Sequence, residues 1–405
     1  MKNTIDHNIK LKKPFLSIDL IFTGVAFFAM LFGSGSVILA LALGKDSGNM
    51  THWALIGFII ATVLLPIIGL LSILLYDGNI EEYFSKVGIF PGKLIIFICM
   101  ILLGPLGVIP RLLGTAYTSL NWYLPDLSFI QFSIIIIPIL LLFTFKKNSI
   151  IDYIGKILGP IKIIILLMFV IYGLFFGMNS QIQTDLNPLQ AIQKGLIDGY
   201  GTLDLLGVLL IGQFIASHLR KNDCKVMSEN DKKFQMDSVK VAIIGGLLLL
   251  VVYVGFCLLA SFHSTELAGV DRYEIINTLA PMILGKNSGM LISAIIVVSS
   301  IVSAIALIAV FTNYLQQMFN KIFHFKEDKS YIICLLFTII LACILTNLGF
   351  SGIMNIIIPL AEICYPAIIV LSICNIIYKK MGFNYVKMSV ITTFIITIIL
   401  KTLSF

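Results

Sequence analysis

Phe32-Gly33-Ser34-Gly35-Ser36 and Asp198-Gly199-Tyr200-Gly201-Thr202 are the two stretches whose reading decides this fold. Each lies inside a long apolar run, the first spanning about 18–43 and the second about 187–219. Glycine is a poor helix residue by about 1 kcal/mol, and two within three positions favour an unwound turn. Asn187 followed by Pro188 reads as the N-cap and first residue of the helix entering the second interruption. Asp204 reads as the N-cap of the helix leaving it. Unwound backbone at membrane depth is tolerated only where it is buried in protein or lines a cavity. The competing explanation is that such glycines merely ease tight helix packing. Two interruptions at matched places favour a site.

Working outward, the remaining chain is apolar in blocks. Of 405 residues, 59% are hydrophobic and 12% charged, against roughly 25% charged in a soluble domain. Eleven apolar runs fall near 18–43, 53–75, 94–122, 129–145, 152–177, 187–219, 239–262, 288–319, 331–348, 352–378 and 385–403. A bilayer core needs about 20 such residues per helix, because a helix satisfies its own backbone groups there. The expectation is an all-α polytopic membrane protein with no appended soluble domain. Lys and Arg divide 20 to 5 between alternate loops, which places the N-terminus inside and, with eleven spans, the C-terminus outside. That pattern accounts for the net charge of +7 without a nucleic-acid partner. Seven cysteines include no C-x-x-C pair and read as buried thiols.

The interruptions also organise the chain into units. Residues 1–17 form a cytoplasmic tail, 18–177 a first five-helix repeat, 178–378 a second, and 379–405 an accessory eleventh helix. Five crossings per repeat invert the second relative to the first. Paired discontinuous helices then form a substrate site near the midplane, as in secondary transporters.

Phe27 to Gly35, Gly104-Pro105 with Ile109-Pro110-Arg111, Gly199 to Asp204, and Asn347 to Phe350 leading to Pro359 and Tyr365-Pro366 carry a family resemblance. In this order they resemble the bacterial branched-chain amino acid:cation symporters, the system II carriers, and the resemblance implies a divergent member of that family. The resemblance implies a leucine-transporter-type fold, a bacterial inner-membrane location, and import of Leu, Ile and Val driven by a sodium ion or a proton. No other cofactor is implied. It further implies sodium ligands from the first-span break and the eighth span, here Gly33, Ser36, Val302 and Ser303. The chain departs from the family's pattern where Ser36 replaces Asn and Val302 and Ser303 replace paired threonines, which weakens the sodium site. The rival functions are a proton-coupled permease or exchanger for another amino acid and a non-transporting amino-acid sensor.

The expected substrate residues are Phe32, Gly33, Ser34, Gly35, Ser36, Ile109, Gly199, Tyr200, Gly201, Thr202 and Leu203. Half-helix N-termini present N–H groups and a positive dipole end to a carboxylate, while unwound carbonyls accept from an ammonium. Arg111 lies inside the third span, where a lone cation needs a partner; Asp204, Glu362 and unwound carbonyls are the candidates. Glu362, between Pro359 and Pro366, is expected in this charge network and as a proton carrier. No H-E-x-x-H and no Ser/His/Asp set supports an intramembrane enzyme.

Overall fold

The computed structural model describes residues 17–145, 159–176, 180–221, 227–272, 274–323 and 327–403. Most of the expected N-terminal tail lies outside these residues. Helices make up the regular structure, and the described residues contain no strand.

The first crossing is split into α1 (Ile18–Leu31) and α2 (Ser34–Ser47). The second joins α3 (Thr51–Ile59) to α4 (Leu65–Leu74) through a wider π turn. A short α5 (Ile80–Ser85) leads to the third, α6 (Ile89–Leu103) and α7 (Val108–Asn121). The fourth and fifth are α8 (Phe129–Thr144) and α9 (Gly159–Phe176). The sixth is split into α10 (Pro188–Tyr200) and α11 (Asp204–Lys221). Then follow α12 (Met227–Phe262), a short α13 (Ile275–Leu284), α14 (Lys286–Phe323), α15 (Glu327–Thr346), α16 (Gly349–Met381) and α17 (Val386–Leu403). Seven helical segments among the described residues are long and apolar enough to cross a membrane, and four shorter apolar helices accompany them. The exterior carries bare Ile134, Phe175, Ile344 and Leu400, as a surface solvated by lipid requires.

Three features differ from the sequence expectation. The third crossing, read as continuous, breaks at Gly104–Gly107: Pro105 has no N–H to continue the helical ladder, and Gly104 lies against the Phe311 ring. The seventh begins twelve residues earlier than its apolar run, because residues 227–238 form a polar helical extension. Two short helices, α5 and α13, occupy stretches read as loop.

The bundle depends on close helix crossings. One of the tightest joins α3 to α10, where an added Cβ on Gly57 would stand 2.0 Å from Ile192 O and one on Gly195 1.9 Å from Ala54 O. Neither carbonyl can move without loosening its own helix. Gly195→Val is therefore expected to destabilise the protein by about 1–3 kcal/mol, the cost of overpacking a filled core. Trp53 lies on α3, so its fluorescence during denaturation in detergent reports the change. An unaltered unfolding midpoint would contradict this packing.

Candidate functional site

The two interruptions are narrower than the sequence suggests. In the first, only Phe32 and Gly33 leave the helix, both with extended ψ angles of 94° and 171°. Ser34, Gly35 and Ser36 already belong to α2; the Ser34 side chain lies outside the described ones. In the second, Gly199 and Tyr200 remain helical, and the break is confined to Gly201, Thr202 and Leu203. Thr202 Oγ donates to Gly199 O at 2.8 Å and tightens that end. Leu203 then turns the chain with φ +61°, a left-handed conformation costing a non-glycine residue roughly 1–2 kcal/mol. Asn187 caps α10 as read, accepting from Gln190 N at 2.9 Å while Gln190 Oε1 accepts from Asn187 N at 3.0 Å.

Arg111 joins the two breaks. It is 1% exposed, in the first turn of α7. Its Nη1 donates to Gly201 O at 2.7 Å and to Met354 Sδ at 3.3 Å, and Nη2 to Thr202 O at 3.3 Å. The same guanidinium lies on Gly35, where an added Cβ would come within 2.5 Å of Nε. The break at Gly104–Gly107 re-aims the chain just before α7. Asp204, read as an N-cap, instead begins α11 and accepts from the Tyr253 hydroxyl at 2.5 Å. Tyr253 packs edge-on to Phe32, with ring centroids 5.2 Å apart. Tyr200 faces Tyr365 at 4.7 Å. Ile109 and Leu203 are buried.

A second polar cluster sits on the other side of the first break. Ser303 Oγ donates to Ala29 O at 3.3 Å and Phe32 O at 3.2 Å. Lys162 Nζ, from α9, donates to Phe32 O and to Ala29 O, the latter at 3.2 Å. Of the four residues expected to hold a cation, Ser303 faces these carbonyls and Gly33 lies against Ser303. Val302 is buried in the apolar core, and Ser36 is buried in the first turn of α2.

Glu362 is not brought into this site. It pairs with Lys401 of α17, and its side chain is 21% exposed. A carboxylate midway along α16 finds the cation on the neighbouring accessory helix rather than Arg111, because α16 and α17 pack directly. Residues the sequence reading left without a role are Lys162, Tyr253, Met354 and Tyr365. Lys162 alone carried a usable signal, a cation inside an apolar run.

The two ends of the bundle differ. A cavity of about 950 Å³ opens at the end where α1 starts, lined among others by Met100, Gln213, Asn313 and Tyr314. At the opposite end, Asp46 pairs with Arg272 at 2.9 Å and Lys194 at 3.6 Å. Asp198 pairs with Lys194 at 3.5 Å and Arg272 at 3.6 Å. That end is bridged by charge.

Arg111→Met removes the guanidinium from buried carbonyls. A hydrogen bond to a charged group contributes about 1.5–3 kcal/mol, so the variant is expected to lose about 3 kcal/mol in a chemical denaturation series. A loss of under about 0.5 kcal/mol, the scale of an ordinary surface change, would show that the clamp does not hold the break.

Comparison with known proteins places this geometry. The family described as "Branched-chain amino acid transport protein" matches residues 16–404. Among similar proteins, the branched-chain amino acid permease BraB of Bacillus subtilis (strain 168) is 24% identical over 372 residues, covering 89% of this chain and 81% of its own length. The branched-chain amino acid permease BrnQ of Haemophilus influenzae is 26% identical over 394 residues, covering 94% and 86%. Among solved structures, MhsT in complex with L-phenylalanine is similar with a TM-score of 0.60, 15% identity, and coverage of 95% of this chain and 98% of that one. The inward-facing conformation of Mhp1 is similar with a TM-score of 0.57, 12% identity, and coverage of 89% and 77%. The fold is thus of the leucine-transporter type, with broken first and sixth helices.

Proposed function

The chain belongs to the branched-chain amino acid transport protein family, and we propose that it is a secondary transporter importing Leu, Ile and Val into a bacterial cytoplasm by alternating access. The observation that carries this reading is the pair of broken helices held against one another by Arg111.

An amino acid zwitterion needs a positive end, a negative end and an apolar wall. The N-terminus of α11 is already occupied, since Asp204 stands in its first turn; the first turn of α2 holds no acid. Free N–H groups there, with Arg111 lying on Gly35, favour a carboxylate at α2. The ammonium is assigned to the buried Asp204 carboxylate beside the second break, whose carbonyls are already taken by Arg111. Phe32, Ile109, Tyr200 and Leu203, with Tyr253 and Tyr365, supply aromatic and branched surfaces suited to a short hydrocarbon tail.

The direction of transport follows from charge. The 20 to 5 division of Lys and Arg assigns the end where α1 starts to the cytoplasm, in the inner membrane. The cavity of about 950 Å³ then opens inward, and the pairs among Asp46, Lys194, Asp198 and Arg272 close the outer side.

The test is uptake of radiolabelled Leu, Ile and Val into proteoliposomes of the full chain. All three are expected to accumulate. Gly35→Ala sets a methyl group against the Arg111 guanidinium and is expected to lower uptake by about tenfold or more, at least ~1.4 kcal/mol of interaction. Binding without accumulation would replace the transporter reading with that of a sensor.

A further inference from the structure

We propose that the Lys162 ammonium is a tethered cation filling the oxygen-lined seat at the first break, so that this chain works without a bound sodium ion. The inference deepens the transporter reading and rests on it for its meaning, but its central measurement does not.

Two carbonyl oxygens behind the break, Ala29 O and Phe32 O, each accept from both Lys162 Nζ and the Ser303 hydroxyl. Carbonyl and hydroxyl oxygens are the ligands a hard cation takes, and Ala29 and Phe32 lie at the C-terminal, negative end of α1. This is a site shaped for a positive charge. The charge standing there belongs to the protein. Lys162 is 1% exposed, its Nζ donates to both carbonyls, and it lies 5.9 Å and 5.4 Å from the Phe28 and Phe32 ring centroids. Ring faces attract a cation as carbonyls do. Among the described residues no carboxylate pairs with it.

A buried ammonium without a carboxylate is costly unless fixed dipoles solvate it. Here two carbonyls and two rings do so, and the lysine reaches them from another helix, α9. A sodium ion would need the same two carbonyls, and the two positive charges would stand within a hydrogen-bond length of each other in a low-dielectric interior. They exclude one another. The rest of the expected ligand set agrees: Val302 has no side-chain oxygen and lies in the core. Residues that would have to hold sodium do not fit it while Lys162 is in place.

The primary test is saturable binding of radioactive sodium to the purified full chain, read by scintillation proximity. The wild type is expected to bind none; K162A is expected to gain saturable binding, and K162A/S303A to lose it again. Saturable sodium binding by the wild type that S303A abolishes would overturn the proposal, and this comparison needs no Lys162 variant. Should K162A fail to fold, K162M keeps the methylene packing without the charge. Folded K162A or K162M that gains no sodium binding would also overturn it. In proteoliposomes, leucine uptake is expected to differ by less than about twofold between sodium and choline media; a dependence of about tenfold or more contradicts the proposal. Uptake absent from both media would refute the substrate reading, leaving the sodium-binding arm to judge Lys162.

Discussion

A peptide group inside a bilayer has no water to turn to, so every interruption of a membrane helix must be answered by protein. This structure answers both of its matched interruptions in the same way. The half-helix α1 ends at carbonyls that accept from Lys162, and α10 ends at carbonyls that accept from Arg111. Each is the negative end of a half-helix dipole capped by a cation brought from another helix, an arrangement contributing up to about 2 kcal/mol where burial is favourable. The two capping residues come from different crossings, α9 and α7, yet do the same electrostatic work.

The opposite ends of the interruptions are treated unequally. α11 starts with Asp204, whose carboxylate also accepts from Tyr253, so its positive end is neutralised within the chain. α2 starts with no acid in its first turn. A fold that neutralises three of four half-helix ends and leaves one open has a polarity, and a bound zwitterion can lie in it in one direction only. Arg111 touches both the closed second break and the open start of α2, which makes the anchor of one a neighbour of the other.

How far this was legible in the sequence depends on the range of the interaction. The glycine-rich stretches, the Asn187 cap and the eleven apolar runs are local signals, and all reappear in the structure. The width of the breaks was overestimated because Thr202 bonds back to Gly199 O, a local contact that glycine counting does not see. Gly104–Gly107 was read as part of a continuous span, although Pro105 was in view; an apolar run masks a break when its hydropathy is continuous. Of the candidate partners of Arg111, the unwound carbonyls are the ones it reaches; the partners of Glu362 and Lys162 were the least legible. Charge alone says that a buried cation needs acceptors, not which helix brings them. Glu362 was grouped with Arg111 because both lie inside spans, whereas the packing of α16 on α17 gives it Lys401.

The packing itself suggests why the cations stand where they do. Among the dense helix contacts, α3 with α10, α2 and α1 with α12, and α11 with α4 make one group, α7 and α15 with α14 another, and α16 packs on α17. Within the first group the crossings close to backbone contact, as at Gly57 and Gly195, and such contacts do not slide. Between the groups, Arg111 reaches from α7 to the end of α10, and Ser303 from α14 to the end of α1, where Lys162 from α9 joins it. Polar bridges between the groups therefore fall on the interruptions. The charged pairs at the end opposite the start of α1 lie within the first group and are partly exposed, and pairs of that kind contribute only about 0–1 kcal/mol each. Rocking of one group against the other accordingly meets its polar resistance at the breaks. That is the place where a guest, by replacing or reinforcing those bridges, can decide which way the bundle opens.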